Sequence, residues 1–251
     1  MFDRTRIARL VRFARAEVAA LAALMVVTLG VMTFFEVADG MTEADGQALD
    51  QAVLHWMQPV AGDPRGPWWL QEAAADLTSL GGISVLALFA VIVFSFLLIQ
   101  RKALSAALLV IGLAGGVALS EGLKALFERV RPPAAYQAVD TLNASFPSGH
   151  ALLSTVFYLT LGVMLTRAFP KRRLKVFVMG AAILIALLIG LTRVYLGAHW
   201  ASDVIAGWCA GAAWAMALWL AAYAVQRRQA HNPGGLHDTS APATDPAVIG
   251  E

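Results

Sequence analysis

Six long apolar runs constrain this chain more than any other feature of its sequence. Crossing the hydrocarbon core of a bilayer as a helix takes about 20 mostly apolar residues. Runs close to that length lie at 18–35, 83–99, 103–127, 151–169, 174–191 and 201–225. A helix satisfies its own backbone N–H and C=O groups, as a segment in lipid must. The sequence therefore predicts an all-α integral membrane protein with six transmembrane helices. Charged residues are 14% of the 251 residues, against roughly 25% in soluble domains. This argues against a water-soluble enzyme and against a disordered or collagen-like chain. The single cysteine, Cys209, excludes an internal disulfide framework and a Cys-based zinc site. No repeat of fixed period runs through the sequence.

The basic residues orient the spans. A basic arm at 1–17 carries Arg4, Arg6, Arg9, Arg12 and Arg15. Arg101 and Lys102 follow the second run, Arg167, Lys171, Arg172, Arg173 and Lys175 surround the end of the fourth, and Arg227 and Arg228 follow the sixth. With six spans these segments share one side, which the positive-inside rule assigns to the cytoplasm. They hold all 19 lysines and arginines except Arg65, Lys124, Arg129, Arg131 and Arg193. The other side is acidic: its first loop, 38–80, sets Arg65 against Asp39, Glu43, Asp45, Asp50, Asp63, Glu72 and Asp76. Membrane topology gives no reason for cations at the outer ends of the third and fifth runs.

Three flanking segments complete the organisation. The first apolar run is too long for a secretory h-region and no small-x-small site follows it, so it reads as an uncleaved span. Phe2, Ile7, Leu10, Val11 and Phe13 share the arm with its arginines; the arm reads either as an amphipathic segment on anionic headgroups or as ordinary positive-inside flank. In the 38–80 loop, Leu49, Ala52, Val53 and Trp56 follow helical spacing, and Trp68 and Trp69 precede the second run. A short interfacial helix is expected there, as an anchor or beside a lipid entrance. The tail 226–251, with Asn232-Pro233-Gly234-Gly235, reads as disordered and cytoplasmic.

Three clusters at outer span ends carry chemistry. Lys124 and Arg131 stand seven residues apart, near two helical turns, so one helix face can hold both, with Pro132 and Pro133 stopping the helix. Snorkelling to the interface, or pairing with Glu121 and Glu128, explains them equally. Phe146-Pro147-Ser148-Gly149-His150 precedes the fourth run. A helix N-terminus there offers free N–H groups to an anion, Ser148 a hydroxyl, Gly149 a close backbone and His150 a proton. The plain alternative is a serine cap and a turn. Thr192-Arg193 and Gly197-Ala198-His199, with Asp203 beyond, join the last two runs. His199 and Asp203 are four apart and would share a helix face, the carboxylate orienting the imidazole as in a triad. Arg193 supplies a planar fork for phosphoryl oxygens. A salt bridge closing a tight turn is the alternative. Taken together, the clusters bring three cations to one membrane face, where ionisable groups are costly unless they serve a function. An anion bound among them would relieve their repulsion.

The spacings Lys-x6-Arg-Pro from Lys124 to Pro132, Pro-Ser-Gly-His from Pro147 to His150 and Arg-x5-His-x3-Asp from Arg193 to Asp203 resemble the type 2 phosphatidic acid phosphatase family. These membrane lipid phosphatases share a phosphate site with vanadium haloperoxidases. Thr192 stands where the family usually has Ser and keeps the hydroxyl. The motifs span Lys124 to Asp203, and the six-run pattern extends the likeness over most of the chain.

The resemblance implies a metal-free, cofactor-free mechanism. Lys124, Arg131, Ser148, Gly149 and Arg193 bind phosphate, His199 attacks phosphorus with Asp203 orienting it, and His150 protonates the leaving oxygen. The catalytic domain is expected at 18–225, with its site at the outer face. The chain would hydrolyse a polyprenyl diphosphate such as undecaprenyl diphosphate, phosphatidic acid or phosphatidylglycerol phosphate, at the outer leaflet of a bacterial inner membrane and with no nucleic-acid partner. Two alternatives stay open: a lipid phosphotransferase using the same phosphohistidine, and, more remotely, a lipid or ion transporter. Against transport, the ionisable groups cluster at one face and no inverted repeat is present.

Overall fold

A computed structural model describes the backbone of residues 4–138 and 143–231, and the side chains of 17–138 and 143–228. The described chain is helical: α1 (Arg4–Gly40), α2 (Ala44–Met57), α3 (Trp68–Ser79), α4 (Ile83–Ile99), α5 (Ala103–Phe127), a 3-10 turn (Ala134–Tyr136), α6 (Gly149–Ala168), α7 (Arg172–Tyr195) and α8 (Ala201–His231). The six apolar runs fall on α1, α4, α5, α6, α7 and α8. Among the described residues, five helical stretches are long and apolar enough to cross a membrane. The α3–α4 pair, bent by 50°, supplies a sixth if counted as one span. The reason is length: α4 has 17 residues, about 25 Å of helix, against a hydrocarbon core of about 30 Å. This is an all-α, multi-spanning membrane fold.

α6 is the central helix. Half of its most apolar stretch is buried, against 17% of that of α1, and it packs on α5, α7 and α8. α1 lies along α8 and turns Leu21, Met25, Leu29 and Met32 outward, as a lipid-facing helix can, since hydrocarbon is no less apolar than leucine. Helices in lipid associate through close packing and interhelical hydrogen bonds, so small residues line their contacts. Gly207 and Gly211 let α8 approach the start of α6. A Cβ on Gly207 would stand 2.7 Å from the Ser148 carbonyl oxygen, and one on Gly211 would stand 2.6 Å from that of Leu152. Trp208 donates to the Ala186 carbonyl of α7 at 3.1 Å, and Trp214 to the Gly112 carbonyl of α5 at 2.9 Å.

Several expectations need correction. The 38–80 loop holds two helices rather than one: α2 carries Leu49, Ala52, Val53 and Trp56, and α3 opens on Trp68 and Trp69. The arm's backbone from Arg4 onward continues α1 as one helix; its side chains, including Arg4, Arg6, Arg9, Arg12 and Arg15, lie outside the described residues. The tail is helical to His231, so its first residues extend α8, and 232–251 lie outside the described residues. α5 stops before Pro132. Glu128 takes a left-handed conformation, φ 44°, as C-cap, and its N–H donates to the Lys124 carbonyl.

Candidate active site

The C-terminal ends of α3, α5 and α7 meet the N-terminal ends of α4, α6 and α8 at one end of the bundle. There they enclose a cavity of about 330 Å³. α5 contributes Ser120, Glu121 and Lys124, α6 contributes Gly149 and His150, and α7 contributes Arg193. Arg131 and His199 enter from the segments that follow α5 and α7.

The structure thus brings Lys124, Arg131, Gly149, His150, Arg193 and His199 to one cavity, by routes that differ from the expected ones. Because α5 ends at Phe127, Arg131 is not on the helix face of Lys124. It reaches the cavity from irregular backbone, held by Nε donating to the Asn143 carbonyl at 2.6 Å and Nη1 to the Ala198 carbonyl at 2.7 Å. His199 is not helical either, since α8 begins at Ala201. It sits in the turn after α7, where its N–H and that of Ala198 both donate to the Arg193 carbonyl. Gly197 makes this turn possible, with φ +65° and the Tyr136 carbonyl so near that any Cβ would collide with it.

Asp203, in the first turn of α8, meets His199 across the turn, with Nδ1 and Oδ2 3.4 Å apart. The same oxygen accepts from the Trp200 N–H at 2.9 Å and from the Ser145 hydroxyl. An ionised carboxylate only accepts, so Nδ1 carries the imidazole proton and the Nε2 lone pair faces the cavity. Nε2 is 3.1 Å from Arg131 Nη1. From there the same guanidinium can reach an oxygen on a phosphorus bonded to Nε2. His199 is 2% exposed. Burial pushes its imidazole down from the ordinary 6.5 to about 4, with the Arg131 and Arg193 charges adding to the fall and Asp203 opposing it. Burial likewise lowers the Arg131 guanidinium, and Asp203 again opposes the shift.

Arg193 is 4% exposed. Its Nη1 donates to Thr78 Oγ1 at 3.2 Å, while its Nε has no hydrogen-bond partner. Ser120 lines the cavity too, 1% exposed, its hydroxyl also unpartnered. Buried polar groups are nearly always paired, so two unpaired donors on one cavity mark a place for a polar ligand. Lys124 Nζ pairs with Glu121 Oε1 at 2.8 Å, and a Cβ on Gly149 would crowd the Ser120 hydroxyl at 3.3 Å. Ser148 is the N-cap of α6, its hydroxyl accepting from the Ala151 N–H at 3.5 Å, and it is fully buried. Its own N–H donates to the Asp203 carbonyl at 3.0 Å, tying α6 to α8.

Sequence spacing missed Ser120, Ser145 and Arg129. Ser120 lies one helical turn before Lys124, which is the signal that could have found it. Arg129 was visible only as a cation that topology left unexplained. Among the described residues, no group of three or more His, Cys, Asp or Glu side chains is arranged to hold a metal ion.

Residues 103–227 match the model of the PAP2 superfamily. Phosphatidylglycerophosphatase B of Bacillus subtilis is 33% identical over 146 residues, which are 57% of this chain and 70% of that protein. An undecaprenyl-diphosphatase of Sulfolobus acidocaldarius is 36% identical over 41% of this chain and 48% of its own length. The crystal structure of a transmembrane PAP2-type phosphatidylglycerolphosphate phosphatase from Bacillus subtilis superposes with a TM-score of 0.74 at 27% identity, covering 80% of this chain and 98% of that one. Aquifex aeolicus LpxE shares the fold, with a TM-score of 0.53 at 22% identity over 67% of this chain and 93% of its own. Matched by the family model at 103–227, and 33% identical to a relative along 70% of that relative's length, the chain belongs to the PAP2 superfamily.

Proposed function

We propose that the chain is a lipid phosphatase that removes phosphate from a lipid phosphomonoester or diphosphate at the outer face of a bacterial inner membrane. One observation carries the reading: an oriented, neutral imidazole, His199, opens on a cavity whose walls hold Lys124, Arg131 and Arg193. Three cations on so small a space suit a phosphoryl group, whose transition-state charge they stabilise as magnesium does in many other phosphoryl-transfer enzymes.

The reaction runs in two displacements. His199 Nε2 attacks phosphorus in line, the bond from phosphorus to the lipid oxygen breaks, and His150, protonated while the anionic phosphate offsets the surrounding cations, gives that oxygen a proton. Lys124, Arg131, Arg193 and the Ser120 hydroxyl hold the phosphoryl oxygens, with the Gly149 N–H at the start of α6. Water then attacks the phosphohistidine, His150 takes its proton, the P–N bond breaks and phosphate leaves. Asp203 keeps the imidazole oriented throughout.

The outer-face reading is supported by charge. Arg101, Lys102, Arg167, Lys171, Arg172, Arg173 and Lys175 lie at the opposite helix ends from the cavity, so the positive-inside rule assigns the cavity to the outside. Ile83 of α4 and Val117 of α5 line the cavity's wall, which suits a lipid whose tails stay in the bilayer between these two helices.

Phosphatidylglycerol phosphate and undecaprenyl diphosphate are the first substrates to try, from the activities named for the relatives. The test is phosphate release from a panel of these and other lipid phosphates with EDTA present. Release by the wild-type protein and none by His199→Ala is expected. Dependence on a divalent metal, or an active His199→Ala protein, would refute the mechanism.

A further inference from the structure

Behind the cavity lies a charge bridge that none of the three motifs includes. Arg129, on the irregular segment after α5, donates through Nη1 to Asp203 Oδ1 at 2.6 Å and through Nη2 to Asp50 Oδ2 at 2.7 Å. Asp50 belongs to α2, outside the matched family region, and is 3% exposed. Its Oδ1 accepts from the Ser202 N–H at 2.9 Å, and its Oδ2 from the Ser202 hydroxyl. Two carboxylates therefore sit at the N-terminus of α8, where the helix dipole favours negative charge, and one guanidinium joins them.

We propose that Asp50 and Arg129 are positioning residues for the reaction at His199, the guanidinium fixing Asp203 so that its other oxygen stays on the imidazole. The inference rests on the phosphatase reading for the reaction it serves. Asp203 has two oxygens and they are divided. Oδ1 is held by Arg129, while Oδ2 takes Ser145, Trp200 and His199. Rotating the carboxylate would break the ion pair. Arg129 alone would also draw the negative charge of Asp203 away from the imidazole. Asp50 supplies a second counter-charge, so that Asp203 keeps a net negative face toward His199. The guanidinium gives each carboxylate its own nitrogen in one fixed plane, Nη1 to Asp203 and Nη2 to Asp50, a geometry that a lysine's single rotatable ammonium does not reproduce. A buried ion pair is by itself weak support for stability; here its geometry bears on the nucleophile's partner.

Asp203 on α8, Arg131 after α5 and Arg193 on α7 act on His199 directly, and Glu121 and Lys124 on α5 and His150 on α6 line the same cavity. Against that fixed background the bridge gives signed effects. Removing the Arg129 charge leaves His199 facing more negative charge and makes it easier to protonate. Removing the Asp50 charge does the opposite.

The test is ¹⁵N-histidine NMR titration of the full chain in detergent micelles, with His199 assigned by His199→Gln, alongside kcat and KM for phosphate release. Arg129→Gln should raise the His199 titration midpoint by about one pH unit. Asp50→Asn should leave it at or below the wild-type value, and the double variant should return it toward wild type. Each single variant should lose about ten- to a hundred-fold in kcat, with KM within about two-fold of wild type. Arg129→Lys should keep the titration near wild type while kcat still falls, and this variant carries the test if Arg129→Gln does not fold. An unmoved midpoint in Arg129→Gln, a raised one in Asp50→Asn, or Arg129→Lys with full kcat would overturn the proposal. A wild-type protein releasing no phosphate would instead sink the phosphatase reading, and the titrations would still decide whether the bridge governs His199.

Discussion

The nucleophilic role proposed for His199 needs a neutral imidazole, and its surroundings favour that form. Burial beside Arg131 and Arg193 brings it to about 4, so the lone pair is present throughout the neutral range and is lost as pH falls through that value. The acid limb of kcat/KM, corrected for the substrate's own ionisation, should therefore lie near pH 4 to 5. A limb at an ordinary imidazole value, near 6.5, would contradict the burial argument. Ser120 offers a second test at this scale. Its buried hydroxyl lacks a partner, a state that costs about 1–3 kcal/mol in the free protein. Ser120→Ala should leave thermal stability unchanged or higher and raise KM about ten-fold, since a hydrogen bond to a charged group contributes roughly 1.5–3 kcal/mol. A lower melting temperature with unchanged KM would show that Ser120 only packs. Lys124, Arg131, His150, Arg193, His199 and Asp203 were legible in the sequence because their spacing within three short motifs is local. Arg129 and Asp50 were not: they meet across 79 residues, and no spacing rule links an arginine after α5 to an aspartate in an outer loop.

The elements matter through where they stop and how closely they pack. Two of the places where the observed helices depart from the sequence expectation are helix ends. Pro132 looked like the terminator of α5, yet the helix ends at Phe127 because Glu128 turns left-handed, a conformation that the sequence would flag only with Gly or Asn. The i, i+4 spacing of His199 and Asp203 suggested one helix, whereas Gly197 bends the chain first and the pair meets across a turn. Run lengths, by contrast, were readable, because apolar composition over about 20 residues follows bilayer thickness. The α6–α8 contact is the packing that the site depends on, since it sets Ser148 against Asp203. Gly207→Ala would drive a methyl toward the Ser148 carbonyl and should cost about 1–3 kcal/mol by overpacking. It should also lower kcat by displacing Asp203. Thermal unfolding and turnover of the purified variant check this. Unchanged stability and rate would mean that the helices have slack the structure does not indicate.

For the whole molecule, the arrangement follows from two opposed charge patterns: basic loops at one end of the bundle, and a cationic cavity and the acidic 38–80 segment at the other. These ends should lie on opposite sides of the membrane. In a Cys209→Ala background, Asp63→Cys in intact cells should react with a membrane-impermeant maleimide, and Gln100→Cys should react only after lysis. The reverse pattern would put the cavity in the cytosol and contradict an outer-leaflet substrate. The most direct test of the central claim is a rapid acid-free quench of the wild-type protein turning over ³²P-labelled lipid phosphate in EDTA, followed by peptide mapping. A base-stable, acid-labile phosphoryl group is expected on the peptide containing His199 and absent from His199→Ala. Label on another residue, or phosphate release at the wild-type rate from His199→Ala, would contradict it.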